Sequence, residues 1–78
     1  MASGITFYRS RKRLSQAALA EALGVDGGTM SRIEAGAMIP TAEQVDRLSE
    51  LLGCPPPYLF SKHILAEVAD RARSEATS

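Results

Sequence analysis

A chain of 78 residues has room for one hydrophobic core and no second one. Nine basic and nine acidic side chains cancel to zero formal charge, which weighs against a strong nonspecific nucleic-acid binder. Cys54 is the single cysteine, so a disulfide framework and a cysteine zinc cluster are excluded. No stretch reaches the apolar length of a membrane span, and a reducing, cytoplasmic setting is expected.

Residues 1–4 are small and polar and are expected to form a flexible start. A first helix is predicted over about residues 6–13. Ile5, Tyr8 and Phe7 are its inward anchors; Arg9, Arg11, Lys12 and Arg13 form its polar side. Ser15 is placed to cap a second helix rich in alanine, where Leu19 and Leu23, four apart, share a face. Gly24 suits the turn that follows. Asp26 is placed to cap a third helix, although Gly27 and Gly28 weaken its first turn entropically. Met30 and Ile33 point inward together, with Ser31 and Arg32 outward, and Gly36 ends the helix.

Thr41 and Gln44 make a capping box for a fourth helix with the apolar stripe Val45, Leu48, Leu51 and Leu52, stopped by Gly53. Pro56 or Pro57 opens a short fifth helix that carries Tyr58, Leu59 and Phe60. Ser61 caps a sixth, to about Arg73, with Ile64, Leu65, Val68, Ala69 and Ala72 on its apolar side. No strand-like alternation or repeat occurs, so the expected architecture is all-α. The expected organisation is a core domain over residues 5–60, an additional helix over 61–74 for packing or dimerisation, and a flexible end over 75–78.

Charge is uneven along the chain. Arg9, Arg11, Lys12, Arg13 and Arg32 face Glu21 and Asp26 in the first part, whereas between residues 34 and 60 Glu34, Glu43, Asp46 and Glu50 face only Arg47. Residues 15–25 and 26–36 each read as a short helix with a tight turn. In tandem they form a helix-turn-helix signal, which points to duplex DNA in the major groove.

The run Leu14-Ser15-Gln16, Leu19-Ala20 and Leu23-Gly24-Val25 is followed by Ser31, Ile33-Glu34 and Gly36. Pro40, the leucines of helix four and Tyr58-Leu59-Phe60 continue the pattern. In this order the chain resembles the phage-repressor type of helix-turn-helix domain, the Xre/Cro-like group, over about residues 5–60. The resemblance implies a compact five- or six-helix domain of the lambda-repressor-like type with a central helix-turn-helix. It also implies a DNA-binding transcriptional regulator, expected to be a repressor. A homodimer on a palindromic operator is expected because isologous dimers are the commonest oligomers and a second subunit doubles the few phosphate contacts.

The resemblance assigns roles residue by residue. Arg9 and Glu34 correspond to a structural ion pair between helices one and three. Gln16 corresponds to a glutamine that touches the DNA backbone. The base-reading positions fall on Gly27, Gly28 and Arg32, with Thr29 beside them. Arg32 has the fork for guanine N7 and O6, and Thr29 a methyl for thymine. Ser31, Arg11, Lys12 and Arg13 are candidate backbone contacts. The two glycines either let the helix backbone approach the duplex closely or mark lost readout.

Met38 and Ile39 stand where relatives often carry basic residues. They are either core plugs or an apolar edge for a partner, and with Ile64, Leu65, Val68 and Ala72 they are the candidate dimer or partner contacts. The alternative function is a protein-interaction module or an antitoxin with weak or no DNA readout. An enzyme is not expected. His63 and Cys54 stand alone, Glu43 and Asp46 are explained by a capping turn, and no nucleophile, base and oxyanion donors converge. No cofactor or metal is expected.

Overall fold

Short helices of a small domain need their ends closed, and this chain closes them largely with its own side chains and left-handed residues. The computed structural model describes residues 4–77. The helices are α1 (Gly4–Arg11), α2 (Gln16–Leu23), α3 (Gly27–Ala35), α4 (Ala42–Leu52), α5 (Pro56–Leu59) and α6 (Lys62–Thr77). No strand occurs among the described residues, so the fold is an all-α, six-helix domain.

The predicted caps are in place. Ser15 Oγ accepts the Ala18 N–H at 3.0 Å, and Ser61 Oγ accepts that of Ile64 at 3.2 Å. At Thr41 the box is reciprocal: its Oγ1 accepts the Gln44 N–H at 3.1 Å, and Gln44 Oε1 accepts the Thr41 N–H at 2.9 Å. Gly24 lies in the left-handed region at φ 81°, where a side chain would be strained, and makes the sharp turn between α2 and α3.

α1 is displaced from its predicted span, beginning and ending two residues earlier. The cause is Arg13, a non-glycine residue in the left-handed region at φ 57°. Its N–H bonds the Ser10 carbonyl at 3.0 Å, and the Leu14 N–H bonds the Arg9 carbonyl at 3.1 Å, which closes the helix as glycine does elsewhere. Gly4 opens α1 against α5. A Cβ there would stand 1.9 Å from the Tyr58 carbonyl oxygen, so only glycine permits the observed approach.

Two inward expectations are corrected. Phe7 faces outward, 54% exposed, because Ile5 and Tyr8 already occupy the buried side of α1 and adjacent positions on a helix diverge by about 100°. Ala69 is also exposed, next to the buried Val68. Of the expected flexible start, residues 1–3 lie outside the described residues. Of the expected flexible end, Ser78 lies outside them, and α6 continues through Thr77, with no glycine or proline to stop it.

Every helix contributes to one core. Ile5, Leu19, Met30, Leu48, Leu52 and Leu59 are fully buried, joined by Ile33, Val45, Phe60 and Val68. Fully burying each such side chain contributes about 1.5–3 kcal/mol. α2 packs most closely on α3, and α1 packs chiefly on α4 and α5. The helix-turn-helix therefore needs a further link to α1, which polar side chains supply.

Candidate nucleic-acid interface

That link is Glu34, a carboxylate only 6% exposed on the inner side of α3. A buried carboxylate is costly unless its lone pairs are met. Here three donors converge from two other helices. Thr6 Oγ1 donates to Oε1 at 2.9 Å, Arg9 Nε to Oε1 at 3.2 Å, and Gln16 Nε2 to Oε2 at 2.8 Å. Arg9 also donates through Nη1 to the Leu14 carbonyl at 3.0 Å, bracing the α1–α2 turn. Among the described residues, no buried side-chain polar atom is left without a partner.

The resemblance pairs Arg9 with Glu34 and leaves Thr6 out. Its signal was present, since Thr6 precedes Arg9 by three positions and so shares its side of the helix. Gln16 is half-buried and spends one amide N–H on Glu34. Its second amide N–H and the first backbone N–H groups of α2 remain as donors.

The outer side of α3 presents Gly27, Gly28, Ser31 and Arg32, all exposed, with Thr29 half-buried. Asp26 caps this helix, its Oδ1 accepting the Thr29 N–H at 2.6 Å. That backbone hydrogen bond holds the Asp26 carboxyl below the usual carboxylate range, with further help from the Thr29 hydroxyl and the Arg32 charge. Around Gly27 the space is open. At Gly28 it is not: a Cβ there would lie 3.5 Å from Asp26 Oδ1 and 3.7 Å from Arg32 Nη2. Arg32 thus leans back toward the helix start, as helical side chains do, and covers the first turn that its own glycine leaves bare.

The basic residues near the end of α1 face different neighbours. The Arg11 guanidinium sits 5.5 Å from the Phe7 ring centroid. Lys12 lies over Gly53, its Nζ 3.6 Å from where a Cβ would stand, at the negative end of α4. Arg13 is exposed on the left-handed turn. The candidate partner contacts are divided as well. Met38 is 37% exposed, Ile39, Ile64 and Leu65 pack against the core, Ala72 is half-buried, and Val68 is in the core.

Among the described residues, no catalytic constellation is assembled. His63 is exposed, and burial pushes the Cys54 thiol up, against the opposing Lys12 charge and contrary to what an activated nucleophile needs. Among the described residues, no group of three His, Cys, Asp or Glu could hold a metal ion, and no helix is long and apolar enough to cross a membrane.

A family model described as a helix-turn-helix domain matches residues 7–59. The crystal structure of the clp gene regulator ClgR from Corynebacterium glutamicum is similar to this chain at a TM-score of 0.64 and 24% identity. The similarity covers 95% of this chain and 73% of that one, and it extends to the fold. Comparison with curated proteins gives no match.

Proposed function

The chain belongs to the helix-turn-helix domain family, and from that premise we propose that it is a sequence-specific DNA-binding transcriptional regulator. In this reading it is an Xre/Cro-like repressor that binds a palindromic operator as a dimer. The observation that carries the reading is the Glu34 network. It fixes α3 against α1 and α2 from the inner side while Arg32, Ser31, Gly27 and Gly28 stay exposed on the outer side. A rigidly held helix with an uncovered polar face is what insertion into a major groove requires. That the structurally similar protein from Corynebacterium is described as a gene regulator agrees with this reading.

In the bound state Arg32 and Thr29 read base edges, and Gly27 lets the first turn come close to the duplex. Gln16, Ser31 and Arg13 contact phosphates, with Arg11 and Lys12 adding positive potential. Zero net charge makes a second subunit useful, because it doubles the phosphate contacts. The dimer contact is assigned to Met38 and Ile39 with the half-buried Ile64, Leu65 and Ala72 of α6.

The test is selection from a randomised duplex library, then titration of the selected and a scrambled duplex between about 50 and 200 mM salt. Preference for the selected duplex, with an affinity that falls linearly with salt on logarithmic axes, is expected. Equal weak binding to both duplexes at the lowest salt overturns the reading. One observation favours a second reading, a protein-interaction module or antitoxin: Met38 is exposed in the loop after α3. A stoichiometric protein complex formed without any duplex shift would support that reading instead.

A further inference from the structure

The glycine at the start of the recognition helix is flanked by opposite charges. One vacant point, the Cβ position of Gly28, lies 3.5 Å from Asp26 Oδ1 and 3.7 Å from Arg32 Nη2. Two groups so close to one point are within reach of a single base pair. Both residues are exposed; Asp26 caps the helix expected to enter the groove, and Arg32, in its last turn, reaches back toward that start. We propose that Asp26 and Arg32, with the gap at Gly28 between them, form a reader for the major-groove edge of a G·C pair.

The chemistry follows from the order of groups on that edge. A G·C pair presents two acceptors, guanine N7 and O6, and then one donor, the cytosine N4 amino group. Arg32 offers a planar fork of donors, which matches the two acceptors. Asp26 is an acceptor-only carboxylate. Its Oδ1 serves the Thr29 N–H, and it keeps lone pairs for the cytosine amino group. A·T presents acceptor, donor, acceptor, so the fork meets a donor and the carboxylate meets thymine O4. A side chain longer than alanine at Gly28 would occupy the space between the two readers. Gly28 is therefore a specificity determinant through the side chain it lacks, and the bare first turn is one half of a two-residue device.

This inference rests on the DNA-binding reading, and its test separates the two. Sites are selected from a randomised duplex library by the full chain and by Asp26→Asn, Gly28→Gln and Arg32→Ala, with the melting temperature of each protein recorded. Asparagine caps helices as well as aspartate does, so Asp26→Asn keeps the fold. The expected result is an invariant G·C pair in each half-site, whose replacement by A·T weakens binding by the native chain about 5- to 150-fold. That discrimination shrinks in all three variants, while Asp26→Asn still melts as a folded domain. Duplex binding whose base preference at that pair is unchanged in Asp26→Asn or in Gly28→Gln, or selection of A·T at that position, overturns the inference and leaves the DNA-binding reading standing. Failure of the native chain to bind any duplex at low salt overturns both.

Discussion

Gln16 Nε2 stands 2.8 Å from Glu34 Oε2, so one amide braces the start of α2 against α3. The helix-turn-helix is in this sense held from the inside by a carboxylate, with the outer side of α3 exposed. Glu34 serves three donors that come from positions 18, 25 and 28 residues away in the chain. Local helix propensity does not bring them together, and the core that sets the helix positions does.

The first prediction concerns that carboxylate. Glu34→Ala leaves Arg9, whose side chain is 17% exposed, without its ion partner, and deprives Thr6 and Gln16 of their acceptor. Breaking a buried pair from one side costs about 3–5 kcal/mol. Chemical denaturation of the variant is expected to show a loss of this size, large against the stability of a 78-residue domain. A loss under about 1 kcal/mol, the net worth of an ordinary hydrogen bond, would mean that the network does not hold the helices.

Arg13 gives a prediction with two signs. A non-glycine residue in the left-handed region carries about 1–2 kcal/mol of strain, partly offset because glycine gains more freedom on unfolding. Arg13→Gly is therefore expected to stabilise the fold by about 0.5–1 kcal/mol. If the arginine stands there to contact a phosphate, the same variant binds duplex more weakly, and its salt dependence falls by about one unit of slope. Denaturation and a salt titration read the two effects separately. A variant that is both more stable and unchanged in binding removes Arg13 from the interface.

Acid stability reports on the α3 cap. The Asp26 carboxyl is lowered from its ordinary value of 3.8 in the folded chain, chiefly by the Thr29 backbone N–H. A group with a depressed folded pKa contributes stability that is present above the unfolded value and is lost as pH falls through the folded one. Asp26→Asn removes this titration and keeps the cap. The native chain is thus expected to lose melting temperature more steeply than Asp26→Asn below about pH 4, with the two curves parallel near neutrality. Parallel curves throughout the acid range would show that the cap does not titrate.

Most helix ends were legible in the sequence because capping is local chemistry. Ser15, Asp26, Thr41 with Gln44, and Ser61 each accept from a backbone N–H three residues on, and that spacing is visible in the letters. The end of α1 was not legible, since an arginine in the left-handed region has no compositional mark. Neither was the outward turn of Phe7, because adjacent aromatics suit the core equally and Ile5 decides the phase. In the candidate site, Asp26 was legible as a cap but its nearness to Arg32 across Gly28 was not. That nearness depends on the direction of a long side chain rather than on sequence spacing.

The last prediction separates the two uses of Gln16. Gln16→Ala removes the hydrogen bond to Glu34 and any phosphate contact together. Gln16→Met keeps length and packing but has no donor. Both are expected to lose about 1 kcal/mol of stability, the net value of one hydrogen bond, or more because the acceptor is charged and buried. Gln16→Lys can still donate to Glu34 and adds a charge that favours phosphate. It is expected to recover most of the stability and to bind duplex at least as well as the native chain at low salt, with a steeper salt dependence. If Gln16→Lys restores stability while Gln16→Met binds duplex as tightly as the native chain, Gln16 is a strut alone, and the phosphate contact at the start of α2 falls to the backbone N–H groups.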